Sequence, residues 1–530
     1  MPDSKSSGRL RLSSPLVSTA ICLVVCAAVM AAHVRYVFLS GCTLWFGDAE
    51  AHLNIARRIV DSRSPGLYQI GSVWLPLPHL LMAPLVRKDW YWQTGLAGAI
   101  PAAICMTLAA TFLFATLRRL FDSAVAAAAG TAVFLLNPNT LYLGSIPMTE
   151  PVFFASSLAL LYFTVRFHAT QGWGAILGAS LAAFCGTLTR YDGWALLPVV
   201  ALFILVAGPR NRFPKRLACA IVFSIIAAAG PFLWLLHNRW FYGDPLYFYR
   251  GPYSAIAITG AMPYPGKNNW PVAAQYFFEA GRLVAGWPGL LIGAAGLALC
   301  LWRRAIWPVF LLLVPCAFYI SSVHGSGTPI FVPTLWPFTH YNTRFALAFL
   351  PLVALGVAAL AKLYRPAAAV PALLALAPFL IHPTQRPITW TESDRNSEAR
   401  RKWTYAAADY LKANARPTDT FLTSFGDMTG IFRAAGIPLN RTITTENIIE
   451  WAEVTTHPEM FLFEDWAVVS SGETMQTKID RLRMRSPRYD LEQRIMVKGQ
   501  PVIELYRRQP DPLPEGAMPP QSTENENPVP

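Results

Sequence analysis

The sequence predicts a multi-spanning α-helical membrane protein with about eleven transmembrane helices, followed by a small extracytoplasmic α/β domain. Two observations lead to this fold class. Of 530 residues, 54% are hydrophobic and only 14% are charged, whereas a soluble domain has roughly 25% charged residues. Apolar runs of about 20 residues, the length that crosses the hydrocarbon core of a bilayer, recur as far as residue 382.

The predicted spans follow one another through this first part of the chain. The first apolar run is longer than the roughly 7- to 15-residue core of a signal peptide, so we interpret it as a membrane anchor. Residues 73–87 are also apolar, but they are short and contain Pro76 and Pro78, which favours a juxtamembrane or re-entrant helix. The predicted spans are residues 15–37, 93–117, 123–140, 150–166, 172–188, 193–208, 217–237, 283–302, 305–323, 343–361 and 366–382.

Basic residues cluster in alternate loops between these spans, as at Arg118-Arg119 and Arg303-Arg304. Under the positive-inside rule these loops lie in the cytoplasm, together with an N-terminal tail of residues 1–14. The formal net charge of +13 is then an orientation signal, and we expect no nucleic-acid partner. The opposite face receives the first outer loop (residues 38–92), the later loops of the same parity and everything after residue 383.

The chain changes character after the last predicted span. Residues 15–382 form the predicted membrane domain, whereas residues 383–508 mix polar and apolar residues and predict a separate extracytoplasmic α/β domain. This domain contains a helix-like run at 399–413, strand-like runs at 420–425 and 466–470, and a hairpin at 494–506. The Pro-, Glu- and Asn-rich residues 509–530 predict a disordered tail. The eight cysteines form neither a disulfide framework nor a metal-spaced set.

Three acids stand at extracytoplasmic ends of the predicted helices. Asp48 and Glu50 open an amphipathic run in the first outer loop, and Glu150 precedes Pro151 in the next one. A carboxylate at this interface can take the proton of an attacking hydroxyl or amine, so all three are candidate catalytic residues, with Asp48 the preferred base. Glu50 and Glu150 could instead orient the acceptor, and acids such as Asp48 and Glu150 also suit Mg²⁺ or Mn²⁺. Helix capping and the helix dipole explain the same positions without catalysis.

Several of these motifs together resemble the GT-C glycosyltransferases, and among them the bacterial relatives of protein O-mannosyltransferases and lipid A aminoarabinose transferases (glycosyltransferase family 39-like). The resemblance rests on Gly47-Asp48-Ala49-Glu50-Ala51-His52, Trp74-Leu75-Pro76-Leu77-Pro78-His79, Met148-Thr149-Glu150-Pro151 and the C-terminal domain. It covers residues 15–382 and implies a GT-C-like fold and transfer of a sugar from a polyprenyl-phosphate carrier to a lipid, glycan or protein acceptor. Where the family has an Asp-Glu dipeptide, this chain has an inserted alanine, so which acid matches the family's catalytic one stays open.

Two outer arginines are candidate phosphate-binding residues. Arg190 and Arg344 lie at span ends on the side that the positive-inside rule disfavours, and a guanidinium can bind a lipid phosphate through a bidentate fork. An ion pair of Arg190 with Asp192, or a snorkelling anchor at Arg344, would explain them as well. A surface position for His52 and a packing role for His79 are alternatives too. The candidate substrate-binding set is His52, His79, Arg190, Asp192, His340, Tyr341 and Arg344.

The competing function is a transporter or flippase of lipid-linked sugars. Its ionisable groups should lie near the middle of the spans, whereas here the acids gather at one interface. A membrane-anchored scaffold acting through residues 383–508 would leave the outer-loop acids without a role. The sequence therefore favours an interfacial glycosyltransferase of the cytoplasmic membrane, with a polyprenyl-phosphate sugar donor and membrane lipids as its partners.

Overall fold

The computed structural model describes residues 14–208, 210–259, 262–363, 367–382, 384–424, 426–482 and 488–509. The predicted N-terminal tail, except residue 14, and the predicted tail, except residue 509, lie outside the described residues. The chain divides into two compact units. Unit 1 contains Met1–Asp61 and Pro65–Arg401, and unit 2 contains Ser62–Ser64 and Lys402–Pro530.

Unit 1 is an assembly of α-helices. Its helices are α1 (Pro15–Leu39), α2 (Gly47–Val60), α3 (Leu77–Val86), α4 (Asp89–Thr94), α5 (Leu96–Phe121), α6 (Ala124–Leu135), α7 (Pro138–Leu143), α8 (Glu150–Thr170), α9 (Trp173–Thr187), α10 (Asp192–Val206), α11 (Phe213–Tyr242), α12 (Tyr247–Arg250), α13 (Ala255–Thr259), α14 (Trp270–Trp302), α15 (Ile306–Gly325), α16 (Leu350–Leu363), α17 (Ala369–Ile381) and the first half of α18 (Ile388–Asn414). A 3₁₀ helix, Thr343–Phe349, runs directly into α16.

Every predicted span coincides with an apolar helix. Among the described residues, seven helical segments are long and apolar enough to cross a membrane: α1, α5, α8, α11, α14, α15 and the combined segment Thr343–Leu363. The other four predicted spans correspond to the shorter apolar helices α6, α9, α10 and α17. The Pro-rich stretch forms α3, a helix of 10 residues, which is short, as predicted. The number of helices that cross stays a prediction.

Small residues let these helices approach closely. Gly296 on α14 faces Gly356 on α16, and a methyl group at either position would overlap the backbone of the other helix. Close backbone approach through glycine is how membrane helices gain van der Waals contact where lipid removes the hydrophobic driving force. The α14 helix also bends at Gly286, where φ is 72°, just before Pro288, so its two halves have different directions.

Unit 2 contains a five-stranded sheet with strand order β2-β1-β3-β5-β4. The strands are β1 (Phe421–Thr423), β2 (Thr442–Ile443), β3 (Trp466–Ser470), β4 (Tyr489–Ile495) and β5 (Ile503–Arg508), and the helices α19 (Thr429–Ala435), α20 (Ile448–Thr456), α21 (Pro458–Phe461) and α22 (Thr474–Leu482) lie between them in sequence. The β1, β2 and β3 strands are parallel, and β4 and β5 form an antiparallel hairpin. The predicted strands and hairpin fall on β1, β3 and β4–β5; Phe425, at the end of one predicted strand, lies outside the described residues.

The two units divide within α18, later than the boundary predicted at residue 383. The first half of α18 belongs to unit 1, where Trp390 and Glu392 are buried. Trp390 stacks on Tyr142 with ring centroids 4.7 Å apart, and Ser393 shares a hydrogen bond of 2.7 Å with the same tyrosine. These contacts explain why polar residues that follow the last predicted span pack with the membrane helices.

Candidate active site

The first helical turns of α2 and α8 place the predicted acids. Asp48 is the second residue of α2, whose N-cap is Phe46, and Glu150 is the first residue of α8, whose N-cap is Thr149. Neither carboxylate occupies the N-cap position, but both lie where the positive end of a helix dipole favours negative charge. The dipole explains part of their position and leaves their side chains available for other partners.

Arg344 joins these two acids. Its Nη2 donates to Asp48 Oδ2, and its Nε donates to Glu150 Oε1 at 3.1 Å. The guanidinium is buried and lies 5.0 Å from the centroid of the Phe46 ring and 5.2 Å from that of Phe345. Two carboxylates about a hundred residues apart in sequence therefore share one cation, as expected for loops at the same face.

Arg190, in the turn between α9 and α10, also binds a member of this cluster, Glu150. Its Nη1 donates to Thr149 Oγ1 at 2.8 Å and to Glu150 Oε1 at 3.0 Å. Its Nε lies 3.5 Å from Asp192 Oδ1, and Tyr319 on α15 donates to Asp192 Oδ2 at 2.7 Å. The local ion pair with Asp192 is present, but Arg190 also binds Glu150, which links it to Arg344 and Asp48.

Glu392 on α18 is a member of this cluster that the sequence did not reveal. Its side chain is 1% exposed and lies 3.9 Å from Arg344 Nη1. It accepts hydrogen bonds from the backbone N–H groups of Asn342 at 2.8 Å and Thr343 at 2.9 Å, so it holds the start of the 3₁₀ helix that carries Arg344. Burial raises the pKa of Glu392, while Arg344 and Thr343 oppose that rise.

A cavity of about 390 Å³ opens beside the cluster, within the usual size range of ligand sites, roughly 300–1,000 Å³. Its polar wall contains Asp48, Glu150, Arg190, Asp192 and Arg344. The rest of the wall consists of aliphatic and hydroxyl side chains, His52, and seven aromatic residues, which are Trp74, Tyr191, Phe248, Tyr249, Phe318, Tyr319 and Phe345. Flat rings beside charged hydrogen-bonding groups suit the faces and hydroxyls of a sugar.

His52 lies in the cavity wall and contacts His79 behind it. His52 lies four residues after Asp48 on α2, lines the cavity and is 3% exposed. Its Nδ1 lies 2.9 Å from His79 Nε2 on α3, and its ring lies against Trp74 with centroids 4.4 Å apart. His52 is thus a buried residue of the cavity wall, and His79 contacts the cavity only through it.

Three other predicted site residues lie away from the cavity wall. Glu50 Oε2 pairs with Arg400 Nη1 at 3.0 Å, and Arg400 also donates to the backbone carbonyls of Leu44 and Trp45. Tyr341 is partly exposed, its backbone pairs with Phe331, and nearby Asp48 contributes, after burial, to raising its pKa. Burial lowers the pKa of half-buried His340. The structure therefore brings together Asp48, His52, Glu150, Arg190, Asp192 and Arg344.

The cluster does not fit the expectation that Asp48 and Glu150 hold a divalent cation. The Arg344 guanidinium lies between the two carboxylates and supplies the positive charge that they share. In the described part of the chain, no group of three or more His, Cys, Asp or Glu side chains is arranged to hold a metal ion. In this arrangement the acids of the cluster form ion pairs with arginines and do not share a metal ion site.

Carboxylates outnumber arginines in the cluster. Among the described residues, its ion pairs join four carboxylates to two guanidiniums: Asp48, Glu150, Asp192 and Glu392 to Arg190 and Arg344. Asp48 is the most accessible of these acids, with a side chain that is 38% exposed, compared with 5% for Glu150. A ligand entering the cavity can therefore displace Asp48 from its arginine most easily.

Comparison with known proteins gives a match in sequence to one family model. Residues 92–234, less than half of the chain, match the family described as dolichyl-phosphate-mannose-protein mannosyltransferase. This region contains Glu150, Arg190 and Asp192, whereas Asp48 and Arg344 lie outside it. No curated protein matches the chain.

Solved structures of ArnT from Cupriavidus metallidurans, a lipid A aminoarabinose transferase, have a similar fold. The structure bound to undecaprenyl phosphate matches with a TM-score of 0.55 at 13% identity, covering 90% of this chain and 97% of that one. The apo structure matches with a TM-score of 0.55 at 14% identity and the same coverage. The chain therefore has an ArnT-like GT-C fold with a small C-terminal sheet domain, and the resemblance predicted from its motifs is confirmed.

Proposed function

We propose that this protein is an integral-membrane glycosyltransferase that moves a hexose or pentose from a polyprenyl-phosphate-linked donor to an acceptor at the outer face of the cytoplasmic membrane. The observation that carries the proposal is the cavity that Asp48 lines together with two arginines and several aromatic rings. The partial match to the mannosyltransferase family model and the ArnT-like fold support it.

Asp48 has the properties required of the base. Its carboxylate borders the cavity, and it is the least buried acid of the cluster. As the acceptor hydroxyl or amine attacks the anomeric carbon, Asp48 takes its proton, and the bond from that carbon to the phosphate oxygen breaks. Glu150 is buried and bound to both arginines, so it holds the two cations in place.

The arginines would stabilise the phosphate that leaves. In the structure both guanidiniums already bind carboxylates, so a donor phosphate must replace one of these partners at Arg344 or Arg190. The bond between Arg344 and Asp48 is the most accessible of these ion pairs, because the Asp48 side chain is 38% exposed, so a phosphate replaces this partner most easily. Phosphate binding at Arg344 would therefore release Asp48, which places donor binding before proton transfer.

Glycan and lipid profiling of a strain that lacks the protein tests this proposal. If the protein is a glycosyltransferase, this strain should contain a glycan or glycolipid that has lost one sugar residue, and it should accumulate the polyprenyl-phosphate sugar. Wild-type protein should restore both, whereas Asp48→Asn, expressed and inserted at the same level, should restore neither.

The leaflet in which the donor accumulates separates the enzyme from a flippase. Loss of a transferase leaves the polyprenyl-phosphate sugar at the outer face, where an impermeant oxidant that cleaves sugar diols destroys it in intact cells. Loss of a flippase leaves it protected at the inner face. Unchanged glycans and unchanged donor levels would contradict both a transferase and a flippase function.

A further inference from the structure

The pair formed by His52 and His79 has a role in the cavity that the chemistry of the acids and arginines does not use. His52 lies one helical turn after Asp48, so both side chains are on the same face of α2. His52 lines the cavity that contains Asp48 and Arg344. A polar ring held in the cavity wall beside the base is placed to meet the substrate.

Both rings are neutral in this environment. Burial, with Arg344 and Arg190 nearby, lowers the pKa of His52 to about 3. Burial also lowers the pKa of His79 well below its usual value, and His52 and Arg58 act in the same direction. A neutral imidazole has one N–H donor and one acceptor nitrogen, so the hydrogen bond between the rings determines what His52 offers to the cavity.

His79 determines which ring nitrogen of His52 carries the proton. His52 Nδ1 lies 2.9 Å from His79 Nε2, so one of these two nitrogens donates and the other accepts. His52 Nε2 then has the opposite role to His52 Nδ1. A sugar hydroxyl can both donate and accept, so either role of Nε2 suits it.

We propose that His52 binds the donor sugar: its Nε2 forms a hydrogen bond with a sugar hydroxyl in the cavity, and His79, bound to its Nδ1, is a positioning residue that fixes the tautomer of His52. This inference rests on the proposed function and assigns one contact within it. A neutral ring beside two arginines adds no further positive charge, so it can bind a hydroxyl without competing for the phosphate. Trp74, packed against the His52 ring, supports the ring at the same wall.

Binding measurements on the full-length protein with two probes test this inference. The probes are undecaprenyl phosphate and undecaprenyl phosphate carrying the sugar that the wild-type protein binds best from a panel of hexoses and pentoses. His52→Leu should weaken binding of the sugar-bearing probe about 10-fold, the effect of one lost hydrogen bond, and leave binding of undecaprenyl phosphate unchanged. The two probes separate loss of a sugar contact from damage to the phosphate site.

Variants of His79 test whether this residue fixes the tautomer of His52. His79→Gln keeps an amide that can donate or accept near the position of Nε2, so it should bind the sugar-bearing probe as the wild type does. His79→Met fills a similar volume without a comparable hydrogen-bonding group and should behave as His52→Leu does. In the transfer reaction, His79→Met should raise the donor KM while kcat changes little, because a contact made equally in ground and transition states has that effect.

Each outcome decides the proposal. Equal weakening of both probes in His52→Leu, or no weakening of either, would overturn the sugar contact. Loss of sugar binding in His79→Gln to the same degree as in His79→Met would overturn the positioning role of His79. If wild-type protein shows no preference for any sugar-bearing probe over undecaprenyl phosphate, the proposed function fails and this inference with it.

Discussion

Replacing Asp48 with Asn should stop sugar transfer while the protein still folds and inserts. The amide oxygen of Asn can still accept from Arg344, which keeps Glu150 at 3.1 Å and Glu392 at 3.9 Å. Because the Asp48 side chain is 38% exposed, the loss of its charge should cost only about 1 kcal/mol of folding free energy.

The loss of rate should be much larger than this loss of stability. A positioned general base contributes about 10²- to 10⁴-fold, which corresponds to about 3–5 kcal/mol of activation free energy. Donor binding should hold or improve, because a neutral amide competes less strongly than a carboxylate for Arg344. Single-turnover transfer from a labelled polyprenyl-phosphate sugar measures the rate, and titration with undecaprenyl phosphate measures binding.

Glu50→Gln is the matched control. It removes a carboxylate from the same helix, but Glu50 is bound to Arg400 at 3.0 Å and lies off the cavity wall. Breaking this buried pair can cost about 3–5 kcal/mol of stability, so rates are compared per folded protein after size-exclusion chromatography. Loss of transfer in Glu50→Gln with retention in Asp48→Asn would move the base to Glu50. Retention in both variants would place the reaction elsewhere.

Three further substitutions probe the groups around Asp48. Arg344→Lys keeps the charge but cannot bridge two carboxylates through one planar group, so transfer should fall about 10- to 100-fold, with a further fall in Arg344→Ala; full activity in Arg344→Ala would remove it from the site. Glu392→Gln can accept only one of its two backbone N–H groups well, so thermal unfolding should show a loss of about 1–3 kcal/mol and the donor KM should rise; unchanged values would show that Arg344 is positioned without it. Because burial lowers the pKa of His52 from 6.5 to about 3, stability present above pH 6.5 is lost as pH falls towards 3, at about 1.4 kcal/mol per unit. The drop in apparent melting temperature between about pH 7.5 and about pH 5 should therefore be smaller in His52→Gln than in wild type; an equal drop would contradict a neutral buried His52.

Helix geometry resolves part of what the sequence left open about the acidic pair. Residues two apart on an α-helix point to opposite sides, so once α2 begins at Gly47, Asp48 and Glu50 cannot both face one cavity. The sequence predicted the helix but not its rotation. Contacts with Arg344 and Arg400, both about three hundred or more residues away, decide which acid faces the cavity.

That these acids and arginines lie close together was predictable, because the parity of the spans and the basic loops assign them all to one face. The partners within that face were not, because tertiary contacts select them. Tyr319 lies within an apolar run, where a tyrosine that binds Asp192 cannot be told from one that packs. Glu392 follows the last predicted span among polar residues, and nothing in its local sequence indicates that the backbone of Asn342 will bind it.

The position of α18 changes how the C-terminal domain should be tested. We expect unit 2 to assist acceptor recognition, which would be seen as transfer to a small acceptor that survives its removal. A chain that ends at Pro387 also removes Glu392 and Arg400, which bind the start of the Arg344 helix and Glu50. We therefore expect that chain to lose transfer to every acceptor.

A chain that ends at Asn414 keeps α18 whole and should keep transfer to a small acceptor while losing the natural one. Circular dichroism and size-exclusion chromatography establish that each truncated chain is folded. Complete loss of transfer in the folded chain ending at Asn414 would show that unit 2 supplies a catalytic group. Full transfer in the chain ending at Pro387 would show instead that Glu392 is dispensable, since Arg344 would then hold its position without the carboxylate that binds its helix.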